Sequence, residues 1–113
     1  MNKLARIANT LKSLFVLIAF SCALAHAGEV VEVSINKMQF TPQKIQVKAG
    51  TTIKWVNNEK RTNQSVFFEQ EGLPESDRLF PGESWQRTFD KPGTYPYRCG
   101  PHPEMIGVVE VAE

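Results

Sequence analysis

Short runs of alternating apolar and polar residues, separated by turn residues, constrain the fold of this chain more than any other feature. Val31, Val33 and Ile35 alternate with polar neighbours, and the same period of two recurs in 44–48 and 53–55. Such alternation is typical of strands that bury one face. Further strands are predicted at 64–68, 84–89, 94–99 and 107–111. About seven short strands at this spacing predict an antiparallel β-sandwich or barrel.

The core of so small a protein must depend on its largest apolar side chains. The aromatic residues predicted to fill it are Phe40, Trp55, Trp85, Phe89 and Tyr95. The segment 69–79 fits neither the helical nor the strand period and contains glycine, proline and charged residues. It is predicted to be a loop with one helical turn.

The first 27 residues have the pattern of a secretory signal peptide. Three basic residues precede an apolar run at 14–24, and a small-x-small cleavage motif follows at 25–27. The apolar run is shorter than the roughly 18–20 residues that span a bilayer, which disfavours a membrane anchor. Acylation of Cys22 is a less favoured alternative, because Phe20-Ser21 makes a poor lipoprotein signal.

Cleavage after residue 27 would leave a single domain at 28–113, with 10 basic and 12 acidic residues. The resulting net charge of −2 gives no indication of nucleic-acid binding, for which a basic stripe is expected. Cleavage also removes Cys22 and His26, so that Cys99 and His102 are the one cysteine and the one histidine that remain. An unpaired cysteine in an oxidising compartment is either buried and inert or occupied by a metal.

Three residues with soft or borderline donor atoms are spaced three apart near the C-terminus: Cys99, His102 and Met105. Cys99 ends a predicted strand with its side chain directed inward, and prolines at 101 and 103 fix φ on both sides of His102. Thiolate, imidazole and thioether are donors of blue-copper sites, which normally use two histidines. Zinc is a weaker match because its structural sites rarely use methionine. Thiol catalysis is disfavoured, because no second histidine remains to act as the base.

Three segments give the chain a family resemblance. They are INKMQFTP at 35–42, VKAGTTIKWVN at 47–57 and GTYPYRC at 93–99, the last continuing into the Cys-His-Met loop. Together they resemble the plastocyanin/azurin-type cupredoxins, or blue copper proteins, with a ligand loop most similar to that of the amicyanins. The resemblance covers nearly all of 28–113. It implies a Greek-key β-sandwich or barrel of about seven to eight strands that holds one copper ion cycling between Cu(I) and Cu(II).

One position departs from the family pattern. The resemblance places the first histidine ligand after the 47–57 strand, where this chain has Gln64. The implied metal set is therefore Cys99, His102 and Met105, with Gln64 at the fourth position. An amide oxygen is a harder and weaker donor than imidazole, so Cu(II) should be held weakly and Cu(I) relatively favoured. Two other readings stay open, namely that no copper binds and that Gln64 is a laboratory substitution.

The resemblance also implies roles for residues around the metal. Ser65 occupies the position from which a hydrogen bond reaches the cysteine sulfur, a contact that tunes the metal. Transient redox partners, such as a cytochrome, dehydrogenase or oxidase, are expected to dock near His102, Pro101 and Pro103. Glu104 replaces an apolar residue that is common there, which would alter partner choice.

The sequence thus predicts a periplasmic one-electron carrier whose copper binding is altered by Gln64. A copper-handling protein that sequesters or delivers Cu(I), and a metal-free module with the same fold, are the alternatives. An enzyme is disfavoured, because no acid–base pair or open metal position is evident.

Overall fold

A computed structural model of the chain describes residues 28–113, so the predicted signal peptide lies outside the described residues. Seven strands and one 3-10 helix succeed one another in this part of the chain. They are β1 (Val30–Asn36), β2 (Gln39–Thr41), β3 (Lys44–Lys48), β4 (Thr51–Asn57), the 3-10 helix (Glu69–Glu71), β5 (Ser84–Phe89), β6 (Gly93–Arg98) and β7 (Ile106–Ala112). Across residues 28–113, no helix is long and apolar enough to cross a membrane.

The strands form two sheets that enclose a common core. One sheet has the order β2-β1-β4-β5 and the other β3-β7-β6. The predicted β-sandwich is confirmed, but its pairings are mixed. Strands β1 and β4, like β3 and β7, run parallel, whereas the other three pairs are antiparallel. Alternation fixes which face of a strand is buried and not the direction of its neighbour, so it did not reveal the parallel pairs.

Aromatic side chains join the two sheets. Trp55 on β4 packs edge-on against Tyr97 on β6 and against Phe68, with ring centroids 5.3 and 5.9 Å apart. Of the predicted core aromatics, Phe40, Trp55 and Phe89 are buried, whereas Trp85 and Tyr95 are only partly buried against the core. The core is thus centred nearer to Phe68 and Tyr97 than alternation suggested.

The prediction of a strand at 64–68 is wrong. This segment makes two isolated bridges, from Gln64 to Leu79 and from Phe67 to Arg98. It crosses from Leu79, which lies outside the seven strands, to Arg98 at the end of β6, and so it runs along neither sheet. The predicted helical turn after it is confirmed as the 3-10 helix. This crossing brings Gln64 beside the strand end that carries Cys99.

Candidate metal centre

The loop between β6 and β7 is closed by two backbone hydrogen bonds. The N–H of Cys99 donates to the carbonyl of Met105, and the N–H of Met105 donates to the carbonyl of His102, each at 2.9 Å. Cys99 and Met105 are buried and His102 is half-buried. The loop therefore holds all three predicted ligands at one end of the sandwich.

The side chain of Gln64 lies beside Cys99 and His102 at this end of the molecule. Its side-chain Oε1 lies 3.0 Å from Cys99 Sγ and 3.0 Å from His102 Nδ1, and those two atoms are 3.5 Å apart. Metal–ligand distances of about 2.0–2.3 Å, as for zinc, correspond to donor separations of about 3.3–3.7 Å around a single ion. The three donor atoms are thus near enough to share one ion. Within residues 28–113, no group of three or more His, Cys, Asp or Glu side chains is arranged to hold a metal ion. The candidate set differs from such a group because one of its donors is an amide.

The opposite end of the Gln64 amide is also engaged. Its Nε2 donates to Glu59 Oε2 at 2.9 Å and lies 3.5 Å from Met38 Sδ. Gln64 is fully buried, so its polar atoms must find partners within the protein. Neither Glu59 nor Met38 was expected from the sequence. Met38 is 26 residues from Gln64, and no local pattern connects the two.

Ser65 contacts the cysteine through its backbone and the loop through its side chain. Its N–H donates to Cys99 Sγ at 3.4 Å, and its hydroxyl oxygen accepts from the N–H of Gly100 at 2.8 Å. Burial raises the pKa of Glu75, but the Ser65 hydroxyl and Arg78 outweigh burial and hold that pKa below its ordinary value. The Cys99 sulfur thus accepts a hydrogen bond from the backbone N–H of Ser65, and the Ser65 side chain is in turn bonded to Gly100 and Glu75.

Residues 27–112 match the family described as copper binding proteins, plastocyanin/azurin family. The chain belongs to this family. Amicyanin-alpha from Methylorubrum extorquens is 37% identical over 90 residues, which cover 77% of this chain and 75% of that protein. A solved Cu(I) structure of a methionine-to-alanine variant of amicyanin superposes with a TM-score of 0.69 at 30% identity, covering 74% of this chain and 82% of the other. Family members bind one copper ion and act as electron carriers.

An enzyme domain has a similar fold. The copper-containing nitrite reductase of Thermus scotoductus aligns with a TM-score of 0.68 at 29% identity, covering 74% of this chain but 22% of the enzyme. The cupredoxin chain therefore corresponds to a minor part of that protein, and the likeness does not extend to the whole enzyme.

Two prolines and one carboxylate lie beside His102 of this cupredoxin in the ligand loop. Pro101 is half-buried beside it, whereas Pro103 and Glu104 are exposed. Ile106, just after the loop, is 56% exposed. The residues expected at the docking patch, Pro101, Pro103 and Glu104, are thus at least partly accessible beside the half-buried imidazole.

Proposed function

We propose that this cupredoxin is a one-electron carrier that binds one copper ion through Cys99, His102, Met105 and the side-chain oxygen of Gln64. The observation that carries this proposal is the position of Gln64 Oε1, 3.0 Å from both Cys99 Sγ and His102 Nδ1. Copper, when bound, supplies the one-electron redox chemistry. The chain supplies two buried sulfur ligands and a proline-braced loop that limits ligand movement between oxidation states.

Gln64 alters the balance between the two oxidation states. The amide oxygen is a weaker donor to Cu(II) than an imidazole nitrogen, whereas Cu(I) is well served by the sulfur atoms and one nitrogen. Gln64 therefore weakens Cu(II) binding more than Cu(I) binding. The same imbalance supports a second candidate function, the sequestration or delivery of Cu(I).

The test compares the natural chain with Gln64→His after Cu(II) is added to metal-free protein. We expect a weak, perturbed thiolate-to-copper absorption band from the natural chain and an intense blue one from Gln64→His. Cys99→Ser is the matched control that must lose the band in both backgrounds. An intense blue spectrum with tightly held Cu(II) in the natural chain would show that Gln64 is no defect, and no band from Gln64→His would exclude the site.

Two measurements separate the electron carrier from the copper-handling protein. A carrier exchanges electrons rapidly with a small redox protein, and Glu104→Ala changes that rate through the patch around His102. A copper-handling protein instead transfers Cu(I) to a chelator and shows slow electron exchange. Copper analysis of protein isolated from cells decides whether either function is in use.

The location proposed for the protein is the periplasm. This proposal is supported by the charge, the apolar run and the cleavage motif within residues 1–27. It predicts that protein isolated from the periplasm begins at Gly28, which its intact mass would show. Partners there are proposed to be a cytochrome, dehydrogenase or oxidase that docks around His102, Pro101 and Pro103.

A further inference from the structure

A glutamine side chain has two chemically opposite ends. Its oxygen accepts hydrogen bonds and can bind a metal, whereas its NH₂ group only donates. The two ends have nearly the same shape, so the surroundings decide which one faces the site. At Gln64 this choice determines whether the candidate metal centre has a fourth donor at all.

Glu59 determines which end of the Gln64 amide faces the candidate metal centre. Its carboxylate Oε2 accepts from Gln64 Nε2 at 2.9 Å. An ionised carboxylate has no proton to donate, so only the NH₂ end of the amide fits against it. With Nε2 held there, Oε1 must point toward Cys99 Sγ and His102 Nδ1.

Glu59 is itself held from two directions. Its Oε1 accepts from the N–H of Lys37 at 3.1 Å and its Oε2 from the N–H of Met38 at 3.0 Å. Both residues have positive φ, 52° and 58°, and this turn between β1 and β2 presents adjacent N–H groups to one carboxylate. The N–H of Glu59 donates to Asn57 Oδ1 at 3.0 Å. These backbone groups therefore hold the Glu59 carboxylate in place independently of its contact with Gln64.

We propose that Glu59 is a positioning residue that fixes the orientation of the Gln64 amide and so presents its oxygen to the metal. The inference rests on the proposed copper function. Without Glu59 the amide is free to flip, and in half of its orientations an NH₂ group that cannot bind copper faces the site. Groups that orient metal ligands typically contribute 10- to 100-fold to metal affinity.

Glu59 also fastens the β1–β2 turn, and this structural role must be separated from the positioning role. A double-mutant cycle does so, because a residue that acts through Gln64 loses its effect once Gln64 is gone. Glu59→Ala is therefore made in the natural chain and in a Gln64→Ala background. Glu32→Ala is the matched control, because it removes an exposed carboxylate on β1, outside the ligand loop and the docking patch.

The first readout uses metal-free protein and the side-chain NH₂ resonances of Gln64. We expect these protons to be protected from exchange in the natural chain and in Glu32→Ala, and to lose protection in Glu59→Ala. The second readout is Cu(II) affinity, because the hard amide oxygen contributes more to Cu(II) than to Cu(I) binding. This affinity should fall about 10-fold in Glu59→Ala and change little in Glu32→Ala. In the Gln64→Ala background, Glu59→Ala should lower the copper affinity hardly any further.

Each outcome bears on one proposal or the other. Unchanged NH₂ protection in Glu59→Ala, or an equal loss of affinity with and without Gln64, would overturn the positioning role. Absence of copper binding combined with Glu59-dependent protection would contradict the copper function and leave the amide orientation standing. If Glu59→Ala does not fold, Glu59→Gln replaces it. That side chain offers one acceptor oxygen for three donors, so a partial loss of protection is expected.

Discussion

At the scale of single residues, the hydroxyl of Tyr97 is poorly accommodated. Within 28–113, Tyr97 Oη and Trp55 Nε1 are the buried side-chain polar atoms without a hydrogen bond of normal geometry. Burial raises the pKa of Tyr97 to about 12, and the nearby Trp55 indole offsets this only in part. The folded state therefore holds the phenol proton more tightly than the unfolded state, whose tyrosine pKa is about 10. Folding stability from this group is complete below pH 10 and is lost as the pH rises toward 12.

Tyr97→Phe keeps the ring and removes the hydroxyl. At pH 7 we expect the free energy of unfolding to be unchanged or up to about 1 kcal/mol higher, because the hydroxyl loses only its poorly aligned contact with the Trp55 indole. Between pH 10 and 12 the natural chain should lose roughly 2–3 kcal/mol more than the variant. Urea unfolding at several pH values measures both quantities. Parallel pH profiles for the two proteins would contradict the assignment to Tyr97.

At the scale of elements, the alternating strands are predictable because burial of one face leaves a direct trace in the sequence. The segment 64–68 has the same trace and is mostly buried, yet it pairs only at single bridges. The three ligands of the β6–β7 loop are likewise predictable from local spacing. The contact between Glu59 and the turn at Lys37 and Met38 is not, because it depends on tertiary packing across more than 20 residues.

The pairing of β6 with β7 depends on a glycine opposite a tyrosine. Tyr97 and Gly107 are partners in the ladder, and a Cβ at Gly107 would overlap the Tyr97 ring. The ring is buried against Trp55 and Phe40, so it cannot move aside. We expect Gly107→Ala to lower the free energy of unfolding by about 1–3 kcal/mol, as overpacking usually does.

Gly100→Ala is the matched control for this overpacking, because neither glycine has a positive φ. A Cβ at Gly100 would overlap the carboxyl group of Glu75, which is the movable end of a flexible side chain. Its stability cost should therefore stay under about 1 kcal/mol. Urea unfolding of both variants provides the comparison, and equal losses would show that the rigidity of Tyr97 is not the cause.

At the scale of the whole molecule, the candidate ligands come from two distant connections. Gln64 lies between β4 and β5, and the other three lie between β6 and β7. An unfolded chain does not hold these groups together, so copper should bind the folded state almost exclusively. Metal binding is then coupled to folding, and its strength can be measured as added stability.

We therefore expect Cu(I), added anaerobically, to raise the melting temperature of the 28–113 domain. A free Cu(I) concentration 100 times the dissociation constant adds about 2.7 kcal/mol. In a domain of this size each kcal/mol corresponds to about 4–8 °C, so the rise should be about 10–20 °C. Differential scanning calorimetry measures it, with Cys99→Ala as the variant that abolishes it. Cu(II) should raise the melting temperature less than Cu(I) does. Gln64→His should reduce this difference between the two ions, because it supplies an imidazole ligand for Cu(II). A rise with Cu(I) that persists in Cys99→Ala would place the bound copper away from the β6–β7 loop.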